Sequence, residues 1–320
     1  MVTNLHQTQP ASSLKTRLYE SEDDLLQMQA MLMEGRARTN DWHYFHIGEL
    51  MWAFFMVTCH LNPQEYIRLW HDEQGRLVAY TMLGEDPSFD CQALPEVEWC
   101  GIEAEAMEWA ERQVSELRKR DAQNWSGNFV SGARQDDTKR IAFLEQNGFR
   151  YSGDFAEVNM LRWLDEPIPD SLIPPGSQVR AMDESVDISD RAGAERDVWL
   201  PWTVGNVSDD DYVRFMKMPG YECELDIVAV APNGVIAAYV NCWIDPVNRI
   251  GDLGPVGARA PYRRQGFTRA VLLEGLRRLK ACGMERVCIS TGVANTPARS
   301  LYESIGFRIV NKYLDYVKKE

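Results

Sequence analysis

Two short stretches of this chain carry residue types suited to holding an anion and moving a proton. The first is Arg263-Arg264-Gln265-Gly266-Phe267-Thr268-Arg269. It lies between the apolar run 250–258 and a segment where Val271, Leu272, Gly275, Leu276 and Leu279 recur at helical spacing. A strand that breaks at a basic, Gly-containing turn and enters a helix leaves a row of backbone N–H groups unpaired. With the helix dipole behind them, those groups suit a pyrophosphate. No Asp or Glu occurs from Leu253 to Leu273, while Arg259, Arg263, Arg264 and Arg269 do. The second stretch is 295–307, Asn-Thr-Pro-Ala-Arg-Ser-Leu-Tyr-Glu-Ser-Ile-Gly-Phe. Asn295 is placed to cap a helix with Pro297 in its first turn, and Gly306 to end it. Ala298, Leu301, Tyr302 and Ile305 then share one face, with a phenol among them.

The turn has no Gly-Lys-Ser/Thr and no Gly-x-Gly-x-x-Gly, so it is neither a Walker loop nor a dinucleotide fingerprint. It reads Arg-x-x-Gly-x-Thr and resembles the Arg/Gln-x-x-Gly-x-Gly/Ala acyl-CoA loop of the GNAT N-acetyltransferases. The second stretch matches every fixed position of that family's Asn-x-x-Ala-x-x-Leu-Tyr-x-x-x-Gly-Phe signature. Residues 177–320 are thereby identified as resembling a member of this superfamily.

The resemblance implies acetyl-CoA as cosubstrate and direct transfer of acetyl to an amine. The N–H groups from Arg264 through Gln265, Gly266, Phe267 and Thr268 to Arg269 would hold the pyrophosphate. Gly266 would allow close approach, and Arg263 and Arg264 would supply charge. Thr268 departs from the family's Gly/Ala. Val256, Gly257 and Ala258 would run along the pantetheine arm and supply an oxyanion-binding N–H. Asn295 and Arg299 fall on the cofactor side of the second signature. Tyr302 takes the general-acid position; a phenol near pKa ~10 stays protonated at neutral pH and can protonate a thiolate of pKa about 8.5. An amine of pKa about 10.4 must lose a proton, which costs ~4.6 kcal/mol at pH 7. Asp252 is the candidate base and Asp245 a second; Gly254 stands where related sequences can carry Glu. No metal is implied.

Composition fits two folded domains: 320 residues, 45% hydrophobic, with ten Trp. No run approaches a membrane span, and the polar start Met1–Thr16 has no apolar signal-peptide core. Seven cysteines without Cys-x-x-Cys pairing argue against a disulfide framework or a zinc site and fit a reducing cytoplasm. His43 and His46 lack further metal-ligand partners at motif spacing and read as structural. The net charge of −14 is uneven: residues 177–320 hold 19 acids and 19 bases, and residues 1–163 hold 26 and 15. Nucleic acid as a partner would require the opposite sign. The acidity favours a cationic small-molecule amine, and nothing indicates an oligomer.

In chain order we expect a flexible lead-in at 1–15, a strand at 16–19 and a helix from 21. A hairpin follows at 66–83, then a strand near 89–94, a helix at 102–119, a strand at 125–132, a helix at 136–147 and closing strands at 149–163. The aromatic stretch 42–60 reads as core or as a contact surface. Four prolines in 164–176 mark a linker. The plan then repeats: strand 178–181, helical regions 183–199 and 209–217, hairpin strands 224–231 and 235–244, strand 250–258, helix 268–282, strand 285–290, helix 295–305, last strands 307–317. Asn147-Gly148-Phe149-Arg150 and Ile305-Gly306-Phe307-Arg308 both sit at the end of a helix and before an apolar strand.

We read an internal duplication: an α/β (α+β) chain of two tandem GNAT-like domains, each a mixed, mostly antiparallel twisted sheet flanked by helices. Residues 16–163 would be a degenerate copy without an acyl-CoA loop, since the constant offset puts Glu105, Glu108 and Ala110 on Arg263, Gly266 and Thr268, and Leu144 on Tyr302. Residues 177–320 would be the copy that binds acetyl-CoA. The function expected is a cytoplasmic, acetyl-CoA-dependent N-acetyltransferase of a small-molecule amine. A catalytically silent acyl-CoA-binding module and a protein or peptide N-acetyltransferase are the alternatives. Acceptor contacts are expected near 199–206 and 311–316.

Overall fold

The computed structural model describes residues 13–39, 42–60, 62–84, 86–123, 125–200 and 206–319. The expected lead-in therefore lies, but for its last residues, outside the described residues. The chain separates into two compact units.

The first unit opens with β1 (Lys15–Leu18), followed by α1 (Glu22–Thr39). The first turn of α1 is Glu22-Asp23-Asp24 and its last carries Arg36 and Arg38, charges that oppose the helix dipole at both ends. Next come α2 (Ile47–His60), α3 (Pro63–Tyr66), β2 (Ile67–His71), β3 (Leu77–Leu83) and β4 (Phe89–Ala93). Strands β1 to β4 pair in order as an antiparallel sheet. A helix α4 (Ile102–Arg120), β5 (Phe129–Arg134), α5 (Thr138–Gln146) and β6 (Arg150–Trp163) complete the first run.

The second run repeats this sequence of elements. It has β7 (Gln178–Ala181), α6 (Ile188–Trp199), α7 (Asp209–Phe215), β8 (Asp226–Val230), β9 (Ile236–Asp245), β10 (Ile250–Ala258), α8 (Phe267–Ala281), β11 (Arg286–Gly292), α9 (Thr296–Ser304) and β12 (Arg308–Lys318). Strands β7 to β10 pair antiparallel in order, as β1 to β4 do. The local signals are the ones that the sequence displays. Ser208 and Asp211 form a capping box on α7. Asp137 caps α5 and Asn295 caps α9, each accepting from the N–H three residues on. The Phe149 N–H donates to Leu144 O and the Phe307 N–H to Tyr302 O, both at 3.0 Å. The two helix exits thus share one bond pattern.

Three expectations change. The closing strands 149–163 and 307–317 are each one long strand, β6 and β12. Those two strands are also exchanged. Residues 156–163 belong to the second unit, where β6 pairs antiparallel with β11; residues 314–320 belong to the first, where β12 neighbours β5. Finally, residues 46–55, drawn from the N-terminal run, belong to the second unit. There Trp52 and Phe55 pack on Phe215, and Trp52 also on Trp199. The compact units therefore do not coincide with 16–163 and 177–320. Patterning sets which residues form a strand, but the neighbour of that strand is decided by contacts far off in sequence.

The core of the second unit lies between the sheet and helices α8 and α9. Val271, Leu272, Leu276 and Leu279 of α8 pack on Ile227, Val240, Leu253, Val287 and Ile289, with Tyr302 and Phe307 closing one end. Each such side chain contributes ~1.5–3 kcal/mol of burial. That packing fixes where α8 begins, and so where the basic turn stands.

Candidate active site

Strands β10 and β11 pair in parallel only at Ile250–Arg286, Gly251–Val287 and Asp252–Cys288. Beyond Asp252 they part. On its other side β10 keeps its pairing with β9, with a register shift between Leu253 and Val256. The Trp243 Nε1–H holds the Gly254 carbonyl at 2.7 Å within that bulge. The Arg259 N–H donates to Ala237 O. Because bonded and non-bonded pairs alternate along an antiparallel ladder, Gly257 is bonded to β9 while Val256 and Ala258 aim their N–H and C=O groups into the split. The Ala258 carbonyl is taken by the Arg263 Nε–H at 3.1 Å.

The turn after β10 reverses through two left-handed residues, Arg264 (φ 63°) and Gly266 (φ 93°). Gly266 is the N-cap of α8 and offers no side chain to it. The first N–H that closes on the helix is that of Ala270, onto Gly266 O. The N–H groups of residues 264–269 make no backbone hydrogen bond among the described residues. A cleft of about 900 Å³ opens over them. Its walls are Val256–Ala258, Arg263, Arg264, Gly266, Thr268 and Arg269 on one side and α9 on the other. No acid lines it among the described residues. Arginines and unpaired N–H groups at a helix start, with carboxylates absent, form a cradle for a phosphate ester.

Tyr302 reaches the same cleft from α9. Its ring is buried, packed on Phe307, and its hydroxyl has no hydrogen-bond partner among the described residues. Burial, then the negative charge of Asp252, pushes its pKa well above that of an ordinary phenol. It therefore stays protonated at neutral pH. Asp252 is itself buried, at the closed end of the split, and its Oδ1 accepts from the Cys288 thiol at 3.4 Å.

The sequence model of the Acetyltransferase (GNAT) family matches residues 194–307, a span that covers the split, the turn, α8 and α9. Residues 194–307 are thus a GNAT acetyltransferase domain. A mycothiol acetyltransferase of Thermobispora bispora is 27% identical over 170 residues, which are 50% of this chain and 56% of that protein. The chain spans about half the length of the curated relatives it matches. A GCN5-related N-acetyltransferase from Sphaerobacter thermophilus superposes with a TM-score of 0.64 at 18% identity, covering 97% of this chain and 96% of that one. A tandem GNAT protein from the clavulanic acid biosynthesis pathway superposes with a TM-score of 0.63 at 14% identity, covering 95% and 98%. These two likenesses are of fold: the chain is built as two tandem GNAT-like domains.

Within the GNAT domain, most of the residues that the resemblance singles out converge. Val256, Gly257, Ala258, Arg263, Arg264, Gly266, Thr268, Arg269, Asn295 and Tyr302 all line the cleft. Others do not. Phe267 turns into the core, edge-on to Tyr262, and leaves only its N–H at the turn. Gln265 folds back onto Pro261 O, and Arg299 onto Val293 O. Arg259 is not a loop cation: it is paired with Asp190 at 2.6 Å and Asp197 at 2.7 Å on α6. Asp245 accepts from Val247 N, Asn248 N and Asn248 Nδ2, so it ties a turn at the far end of β9. Val198 of α6 also walls the cleft, a contact that no local motif announces. Trp199 donates to Tyr239 OH, and residues 201–205 of the expected acceptor region lie outside the described residues.

The first unit has a turn of the same shape. Trp99 (φ 60°) and Gly101 (φ 111°) repeat the left-handed pair Arg264 and Gly266, and Gly101 is likewise the N-cap of α4 with no side-chain cap. The counterpart of the basic turn is therefore 98–101, seven residues upstream of where the constant offset puts it. Its chemistry is reversed: Glu98 stands for Arg263, Trp99 for Arg264 and Glu103 for Thr268. The Glu103 carboxylate accepts the Trp99 N–H at 2.8 Å. Burial raises the Glu103 pKa, opposed by that N–H.

Proposed function

We propose that this chain is an acetyl-CoA-dependent N-acetyltransferase that transfers acetyl directly to the amine of a small molecule in its second unit. The observation that carries this reading is the convergence on one cleft of the split strand edge, the unpaired N–H groups of 264–269 and the protonated Tyr302 hydroxyl. A cleft of about 900 Å³ without carboxylates on its walls has the size and charge for CoA. The N–H groups of 264–269, with Arg263 and Arg264, would bind the pyrophosphate, and the edge of Val256–Ala258 the pantetheine arm. The Val256 N–H, which faces the split, would take the negative charge that develops on the thioester oxygen.

Asp252 is not on the lining of the cleft but buried behind it, so it would take a proton from the incoming ammonium through water. The amine nitrogen then bonds the acetyl carbon, the C–S bond breaks, and Tyr302 protonates the departing thiolate; the second proton shed by the nitrogen as it becomes an amide restores the Tyr302 hydroxyl through water. The first unit binds no CoA in this scheme, because Glu98 and Glu103 occupy the places of a cation and of a phosphate. At ~4 Å and an effective dielectric of about 20, each carboxylate beside a pyrophosphate costs up to about 4 kcal/mol. It serves as a degenerate GNAT-like domain, and the Pro-rich segment 164–176 lies within the second unit. With a net charge of −14, the protein works as a cytoplasmic enzyme on cationic amines and not on nucleic acid or membranes.

The test is calorimetric titration with acetyl-CoA, with Gly266→Glu and Tyr302→Phe alongside. One site per chain is expected, lost in Gly266→Glu and kept in Tyr302→Phe. With an accepted amine, Tyr302→Phe should lower turnover by roughly 10²-fold or more. Two sites would overturn the reading of the first unit, and no binding would overturn the acetyltransferase reading. Undiminished turnover in Tyr302→Phe would remove its role as acid.

A further inference from the structure

The residue proposed as base, Asp252, is held from a part of the chain that no motif of the GNAT domain includes. Residues 46–55 belong to the second unit, and their first turn is tightly specified. The Glu49 Oε2 accepts the His46 N–H at 2.7 Å, and the Leu50 N–H donates to His46 O at 3.1 Å. His46 is fully buried. Its Nδ1 accepts the Gly48 N–H at 3.0 Å, so Nε2 carries the proton and donates to the Ile250 carbonyl at 3.2 Å. A neutral imidazole thus clasps β10 two residues before Asp252.

Gly48 lies in the first turn of a 14-residue helix, and Gly is a weaker helix former than Ala. Its backbone is ordinary helix, so the requirement is for space. A Cβ there would stand 2.6 Å from Asp252 Oδ2 and 2.5 Å from Trp243 Cδ1. The Gly48 backbone is therefore one wall of the pocket that holds the carboxylate, and Cys288 Sγ is another. The same contact reaches Trp243, whose indole holds the Gly254 carbonyl in the bulge that opens the split.

We propose that His46 and Gly48 are positioning residues for Asp252, so that the segment 46–55 is a working part of the acetyl-transfer site. This rests on the reading of Asp252 as base. Reacting groups must be held to within a fraction of an ångström, and a misplacement near 1 Å can cost about 10²-fold in rate. A methyl group at residue 48 displaces either the carboxylate or the helix by that order.

The test is a double-mutant cycle in the full chain, Gly48→Ala against Asp252→Asn. Release of CoA from acetyl-CoA is followed with spermidine, glucosamine, glycylglycine or water, and the fastest acceptor is used throughout. Gly48→Ala is expected to lower kcat by roughly tenfold or more, with the acetyl-CoA Kd unchanged within twofold, and by less than twofold in the Asp252→Asn background. Equal losses in both backgrounds would overturn the proposal, because the substitution would then act through Trp243 or through general loosening. If Asp252→Asn leaves kcat intact, the base assignment fails, and the positioning proposal fails with it. Should Gly48→Ala not fold, His46→Leu removes the clasp on Ile250 without adding volume at Asp252, and the same non-additivity is required of it.

Discussion

Replacing Gly266 by Ala separates two costs that the structure predicts at the basic turn. Gly266 has φ 93°, and a Cβ there would stand 2.6 Å from the Leu172 carbonyl oxygen, in the Pro-rich segment. Gly283 has nearly the same backbone, φ 83°, with nothing within 4 Å of the Cβ position. Gly283→Ala should therefore carry only the left-handed backbone penalty, about 1 kcal/mol. Gly266→Ala should carry that and the cost of moving a backbone carbonyl out of overlap, ~1–3 kcal/mol more. Urea unfolding at pH 7 with a shared m-value reads both. The expected result is a loss of about 2–4 kcal/mol for Gly266→Ala against about 1 kcal/mol for the control. If the two variants lie within ~0.5 kcal/mol of each other, the segment 164–176 does not press on the turn. The account of Gly266 as a position closed to side chains would then fail.

Arg191 is fully buried, bonded to Glu195 at 2.7 Å, Asp226 at 3.2 Å and Asn241 at 2.7 Å, with its guanidinium 3.6 Å from the Tyr239 ring centre. Arg191→Met strands two buried carboxylates and should cost about 3–5 kcal/mol by urea unfolding; a loss under ~1 kcal/mol would mean that the network is dispensable. Glu103 carries a pKa raised by burial. The stability that it contributes is therefore full below the ordinary carboxylate range and is lost as pH rises through its raised value. Glu103→Gln keeps an acceptor for the Trp99 N–H and removes the charge, so its stability relative to the parent should improve between pH 4 and pH 7. A gap that stays constant or moves the other way across that range contradicts the assignment.

Much of the site was legible because its chemistry is local. The unbroken run without acids from 253 to 273 and the Asn295 cap need only neighbouring residues, and β10 falls at 250–258 as its apolar run indicates. Arg259 looks like its neighbours in sequence, but Asp190, on α6 and 69 residues earlier in the chain, claims it. The counterpart turn at 98–101 was missed because a fixed offset assumes equal loops, while backbone conformation at Trp99 and Gly101 identifies it at once. The exchange of β6 and β12 leaves no mark on either strand, since a period-2 pattern names a buried face and not a neighbour. The partner of His46, the Ile250 carbonyl, is a backbone group in the other half of the sequence, out of reach of any local pattern.

That exchange bears on how the protein can be made. On the ribosome, the first unit emerges without the strand that neighbours β5, because residues 314–318 are translated roughly half a chain later than residue 155. The nascent first half must therefore wait with an open sheet edge, a state in which chaperone capture and aggregation compete with completion. The second unit has the opposite schedule: β6 and the clasp at 46–55 are in hand before its own strands appear. Severing the chain in its Pro-rich segment would not yield two independent halves, since each fragment would lack a strand that the other carries.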